Sequence, residues 1–264
     1  MEPRTLLATS EEWLDIAEVN PPVLPSARHL MLDHAWRHVL ITDNAFGKIR
    51  VSPYAFAARI THDVPSVTPT VVVSTRDRNI LAIESEVRGA LGNGVSSFLV
   101  VVGDTLPQVE HMAHHYEIVE HLRDLQGRLP HFEVGMTTRF RDWQFRRRVE
   151  AGAEFFVAGP VLDPETVGPS MERLRRRPQD PPVYVMIIPP FSQRWVERME
   201  GVGSVPVSDR LREELSGGIE RERAWELALQ SARVARDEGF GGGILTGLKF
   251  DTVVDEGAGA WRRL

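Results

Sequence analysis

Thr75-Arg76-Asp77-Arg78-Asn79, then Ser85 to Gly94, then Phe98-Leu99-Val100-Val101-Val102-Gly103-Asp104, reads as a strand end, a helix, a strand and a Gly-Asp corner. Polar residues gather where the apolar strands stop. A (β/α) barrel presents its chemistry in this way, at the C-terminal ends of its strands. Outward from this stretch the same alternation continues. Short apolar runs predict strands at Trp13–Val19, His38–Ile41, Thr68–Val73, Ser97–Val102, His131–Met136, Phe155–Ala158, Val183–Ile188 and Gly243–Thr246. Amphipathic segments between them predict helices at Ser26–Trp36, Ser52–Ile60, Asn79–Leu91, Gln108–Leu125, Arg139–Ala151, Pro164–Arg177, Ser192–Met199, Ser208–Leu215 and Arg221–Glu238, with a last short one over Thr252–Arg262.

Strand–helix alternation of this kind predicts a parallel sheet with crossover helices. Eight repeats predict closure into an α/β eight-stranded parallel (β/α)8 TIM barrel. No Pro/Gly/Ser-rich linker splits the 264 residues, so residues 1–264 are read as one barrel domain. An open dinucleotide-binding sheet would want G-x-G-x-x-G after its first strand. Here that strand runs into Glu18-Val19-Asn20-Pro21-Pro22, and the Gly241-Gly242-Gly243 run comes late and opens no helix.

Bulk properties narrow the function. A net charge of −6 lacks the basic footprint of a nucleic-acid binder. The chain has no cysteine, which excludes disulfides and thiolate-held metal clusters. No apolar run is long enough for a membrane span, and the polar, acidic start lacks a signal-peptide pattern, so a cytoplasmic protein is expected.

The expected upper face carries Glu18, Thr42, Asp43, Asn44, Thr75 to Asn79, Gly103, Asp104, Thr137 to Arg139, Gly159, Pro160, Thr246 and Lys249. Many such residues serve only as helix caps. A ring that mixes Glu, Asp, Arg and Lys also suits an anionic or heterocyclic ligand. Glu18 is the sharpest candidate, because a carboxyl at the floor of a barrel mouth is desolvated and its pKa rises toward neutrality. The competing reading is a strand-end Glu paired with a basic side chain. His111 and His115 have the i, i+4 spacing of a metal pair, but no third ligand is evident and no metal site is expected. The basic runs Arg146–Arg148 and Arg173–Arg177 read mostly as solvated helix faces, with Arg147 and Arg148 able to reach a phosphate. The tryptophans read as packing residues.

Ile41-Thr42-Asp43-Asn44, Arg50-Val51-Ser52-Pro53, Arg76 to Asn79, Ile83-Glu84-Ser85, Gly89-Ala90, Val102-Gly103-Asp104, Gly159 to Asp163 and Gly239 to Ile244, in this order, resemble the methylenetetrahydrofolate reductase family, in its short bacterial form. The resemblance spans about Trp13 to Phe250 and implies an eight-stranded barrel. It implies FAD at the upper face and hydride transfer from NAD(P)H to a tetrahydrofolate-type one-carbon unit. By the resemblance Glu18 is the proton donor and Asp104 the catalytic carboxylate beside flavin and pterin. Thr42, Asp43, Asn44, Gly103, Thr137, Gln144, Arg147 and Arg148 then surround the FAD, and Gly159 and Lys249 line the substrate site. Where the family carries a Gln at the end of strand six, this chain reads Ala158-Gly159-Pro160. A non-redox or flavin-free tetrahydrofolate-binding subunit is therefore the second expectation, and unrelated chemistry on the same scaffold a third. A homo-oligomer and a partner protein both stay open.

Overall fold

The computed structural model describes residues 6–104, 114–201 and 205–264. Strands β1 (Leu14–Val19), β2 (His38–Ile41), β3 (Thr68–Ser74), β4 (Ser97–Val101), β5 (Glu133–Thr138), β6 (Phe155–Val161), β7 (Val183–Ile187) and β8 (Gly242–Leu245) each pair in parallel with the next. β8 returns to β1 with Leu14 opposite Gly242 and Ala17 opposite Leu245, which closes the barrel. The expected (β/α)8 barrel is the observed fold.

Outside the strands lie α1 (Pro53–Asp63), α2 (Ile80–Gly92), α3 (His115–Gln126), α4 (Asp142–Glu150), α5 (Val167–Glu172), α6 (Gln193–Gly201), α7 (Asp209–Ser216) and α8 (Arg221–Asp237). None of the described helices is long and apolar enough to cross a membrane. Several starts are fixed by local chemistry. The Asn79 side chain accepts the Ala82 N–H at 2.9 Å, and Ser208 accepts that of Leu211 at 3.1 Å. Such caps satisfy amides that the first helical turn leaves free, each contributing about 1 kcal/mol.

Three expected helices differ in detail. The one expected over Ser26–Trp36 is only a 3-10 turn, Arg28–Leu32, because His34 takes a left-handed φ of 62° and ends the segment. Pro164–Arg177 divides into a 3-10 turn, Pro164–Thr166, and α5. Pro169 lacks the N–H that would tie the two together. The last helix begins at Phe250 and widens into a π turn over Val253–Gly257. The Gln108 end of the helix expected over Gln108–Leu125 lies outside the described residues.

Alternation along each strand creates two cores. Outward side chains such as Val39, Ile41, Phe98, Val100, Phe156 and Val185 meet Ile60, Ile83, Leu122, Phe145 and Ala228 of the helices. Inward side chains Leu14, Ile16, Leu40, Val72, Leu99, Phe155, Val157, Tyr184 and Ile244 fill the barrel. Both faces are covered, so the strands read as continuous apolar runs instead of alternating ones. Gly135 is required here. A Cβ on it would sit 2.4 Å from the Phe155 ring, which occupies that space inside the barrel.

The lower end of the barrel is stoppered by the segment before β1. Leu7 joins the inner core and is 3% exposed. Its N–H donates to Glu133 at 3.0 Å, the Ala8 N–H donates to the same carboxylate at 2.6 Å, and the Tyr184 hydroxyl donates to the Leu7 carbonyl at 2.7 Å. Ser97 adds a third hydrogen bond to Glu133 at 2.6 Å. Burial still raises the Glu133 pKa above its ordinary value, against these hydrogen bonds.

Candidate active site at the barrel mouth

The inward residue that follows Leu14 and Ile16 on β1 is Glu18, so the period of the strand carries it to the top of the inner core. It is only partly covered by its neighbours, but the surface it exposes faces a cavity inside the barrel rim. Burial raises its pKa above the ordinary carboxylate range; hydrogen bonds from the Thr246 side chain and the Gly247 backbone N–H oppose the shift without cancelling it. Glu18 therefore holds its proton to higher pH than an ordinary carboxyl, and the turn after β8 fixes it in place.

Above it lies a cavity of about 540 Å³. Its wall includes four cationic side chains, Arg28, Lys48, Arg50 and Lys249, against a single carboxylate besides Glu18, that of Asp251. Arg28 comes from the turn after β1, Lys48 and Arg50 from the loop after β2, and Lys249 and Asp251 from the segment after β8. Arg28 meets Asp251 at 3.2 Å. Among the described residues Lys48 and Lys249 have no ion-pair partner. The Arg50 guanidinium donates to the Pro21 carbonyl at 2.8 Å, while its Nε is buried and has no hydrogen-bond partner among the described residues. The opposite wall is apolar, with Met186, Ile188, Trp195 and Met199. A second hollow of about 180 Å³ opens from Glu18 toward the strand ends of β2 to β6.

The other residues singled out in the sequence divide by place. Thr42 lines both hollows and its hydroxyl donates to the Asn20 side chain at 2.9 Å. Gly103, Asp104, Thr137 and Asp43 border the smaller hollow. The Asp43 carboxylate is paired with Arg78, which also contacts Glu86 at 3.3 Å, and it accepts the Ser74 N–H at 3.3 Å. Asn44 holds a left-handed corner, taking the Arg50 N–H at 2.9 Å on its side chain. The Asp104 carboxylate accepts the Phe46 N–H at 2.6 Å and lies 3.8 Å from Arg76. Gly159 adopts φ 117°, where a side chain would be strained and would crowd Met186.

Asn44 and Gly159, the latter expected to line the substrate site, belong to neither hollow, and three more of the expected residues lie outside both. Gln144 accepts the Arg139 N–H at 2.9 Å, Arg147 stacks 4.6 Å from the Tyr116 ring, and the buried Arg148 donates to the Thr137 carbonyl. Arg146 is likewise occupied, pairing with Asp180 at 2.7 Å. Of the expected histidine pair, His111 lies outside the described residues, and burial pushes His115 down to about 4. Among the described residues no group of three His, Asp or Glu could hold a metal ion. Trp36, Trp225 and Trp261 are buried as packing residues, whereas Trp143 is exposed. The cations Arg28, Lys48 and Arg50 were not singled out as one group. Their only sequence signal is that the loops after the first two strands are basic.

No protein-family model and no curated protein matches the chain. Among solved structures it is similar to 2,3-dimethylmalate lyase, a PEP mutase/isocitrate lyase superfamily member, at 13% identity, TM-score 0.56, covering 96% of this chain and 81% of that one. It is also similar to oxaloacetate acetylhydrolase in complex with the product oxalate, at 11% identity, TM-score 0.55, covering 97% and 82%. Likeness at this identity is one of fold.

These findings overturn the resemblance to methylenetetrahydrofolate reductases, and with it the expected flavin-dependent oxidoreductase of one-carbon metabolism acting on folate through FAD. The matched barrels are a lyase and a hydrolase. The physical reason for the misreading lies in the motifs. Thr42-Asp43-Asn44 and Arg76 to Asn79 bind one another: Arg78 to Asp43, Arg76 to the Asn44 carbonyl at 3.2 Å, Asn79 to its own helix. They are the fastenings of adjacent βα corners, which a barrel needs whatever its chemistry.

Proposed function

We propose that this barrel is a non-redox enzyme that cleaves a carbon–carbon bond in a small 2-hydroxy- or 2-oxo-dicarboxylate, with Glu18 as its acid–base group. One observation carries the reading: the Glu18 carboxyl, whose burial favours its acid form, stands at the floor of a cavity walled by four cations. Cations bind the carboxylates and disperse the negative charge that bond cleavage develops. A 2-oxo acid first adds water at its carbonyl to give a geminal diol; from there, as for a hydroxy acid, the cleavage moves one proton from oxygen to carbon. The C–C pair passes to the departing carbanion, which takes the proton of Glu18, and the hydroxyl proton returns to Glu18 as the new carbonyl forms. The side chain ends as it began, and no electron is gained or lost. Thr246 and Gly247 hold the carboxylate during the interval in which it is charged. The chemistry named for the two similar barrels, on dimethylmalate and oxaloacetate, supports the class.

The test is a panel of malate, its alkyl derivatives and oxaloacetate, with binding read by calorimetry and turnover by carbonyl product. Glu18→Gln should bind within about threefold of wild type and lose at least about 100-fold in turnover, the lower end of what a general acid–base contributes. Lys249→Ala should weaken binding of every member. A wild-type protein that neither binds nor cleaves any of them would overturn the proposal.

A further inference from the structure

Four cations line the cavity, but one of them is already answered. Arg28 meets Asp251 at 3.2 Å, and both residues belong to the cavity wall. Arg28 is held at that corner from two sides. Its guanidinium lies 6.0 Å from the centre of the Phe250 ring, and the next residue, His29, is buried and hydrogen-bonded to Asp63 at 2.6 Å. Among the described residues Lys48 and Lys249 have no such partner, and Arg50 donates to the Pro21 carbonyl without meeting a carboxylate.

Asp251 does little to hold the fold together. Its side chain and that of Arg28 are each about half exposed, and an ion pair so open to water contributes little to stability. It stands in the first turn of the last helix, but among the described residues its carboxylate accepts no backbone N–H, so it is not a helix cap. Its larger consequence is for the charge of the cavity. A unit charge about 4 Å from another changes affinity roughly fivefold even at the dielectric constant of water, and more where the wall excludes water.

We infer that Asp251 is a specificity residue that sets the charge of the acid this cavity accepts: by cancelling Arg28 it leaves Lys48 and Lys249 for two carboxylates, and it repels a third. The inference rests on the proposed dicarboxylate site and adds to it a limit on ligand charge. Arg50 remains for the negative charge that develops during cleavage. A tricarboxylate has to place its third carboxylate at the Arg28 corner, where it meets Asp251.

Calorimetry at pH 8 and low salt tests it with three acids that lack a 2-hydroxy or 2-oxo group and so are not cleaved. They are succinate, tricarballylate and the monoamide of tricarballylate, which matches tricarballylate in size with one charge fewer. The wild-type protein should bind both dianions and prefer the monoamide to tricarballylate. Asp251→Asn should strengthen tricarballylate binding at least about fivefold and that of the dianions by less than about threefold. Asp251→Ser should do the same, and melting confirms that each variant is folded. Arg28→Gln should cost tricarballylate more in the Asp251→Asn background than in the wild type, the coupling expected of two charges in contact. Wild-type preference for tricarballylate over its monoamide, or an equal gain for trianion and dianions in both folded variants, would overturn the selector and leave the dicarboxylate site standing. Failure of all three acids to bind the wild type and the variants alike would overturn the site and the selector together.

Discussion

Glu18 has two properties that pull against each other. Its neighbours donate hydrogen bonds, which favour the carboxylate, and its burial disfavours it more strongly. The sign for stability follows. In the unfolded chain the group titrates near its ordinary value of 4.5, and in the folded protein it holds its proton to higher pH. The stability this contributes is complete below pH 4.5 and is lost as pH rises through the raised value. Glu18→Gln has no proton to lose. Its melting temperature should match wild type at pH 4 and exceed it at pH 8, and a difference that stays constant across that range would contradict the desolvated setting. Turnover should fall on the alkaline side for the same reason, since the acid form disappears.

At the scale of the element, β5 shows how one strand serves both ends of the barrel. Its inward residues are Glu133, Gly135 and Thr137, in that order from bottom to top. Glu133 fastens the stopper, Gly135 makes room for Phe155, and Thr137 borders the smaller hollow beside Glu18. Gly135→Ala should cost about 1–3 kcal/mol in denaturant unfolding, the usual penalty of overpacking. Gly127→Ala, at a helix end with nothing within 4 Å of the new methyl, is the matched control and should change little. Equal effects would show that loss of glycine, and not the clash, is responsible.

Across the whole molecule, the strands were legible because parallel strands buried on both faces are short runs of Val, Ile, Leu and Phe, and these stand apart from the longer amphipathic helices. All eight observed strands fall on the expected runs, with ends shifted by no more than three residues. The position of Glu18 was legible too, because a charged residue at the end of an apolar run has few places to go. The cationic cavity was not. Arg28, Arg50 and Lys249 are far apart in sequence and converge only because the barrel closes β8 onto β1. The corner network was legible as motif but not as a network, since a paired Asp43 and a free one look alike in sequence. Pairing is a property of the folded chain: Arg78 reaches back 35 residues to it.

The stopper formed by Leu7, Glu133 and Tyr184 closes the lower end of the barrel, so among the described residues the way to Glu18 is from above. Each fragment of a cleaved dicarboxylate keeps one carboxylate, and each must pass the same four cations on its way out. Both products should therefore inhibit the steady-state reaction when added at its start. A fragment without any effect would mean that it leaves by another route.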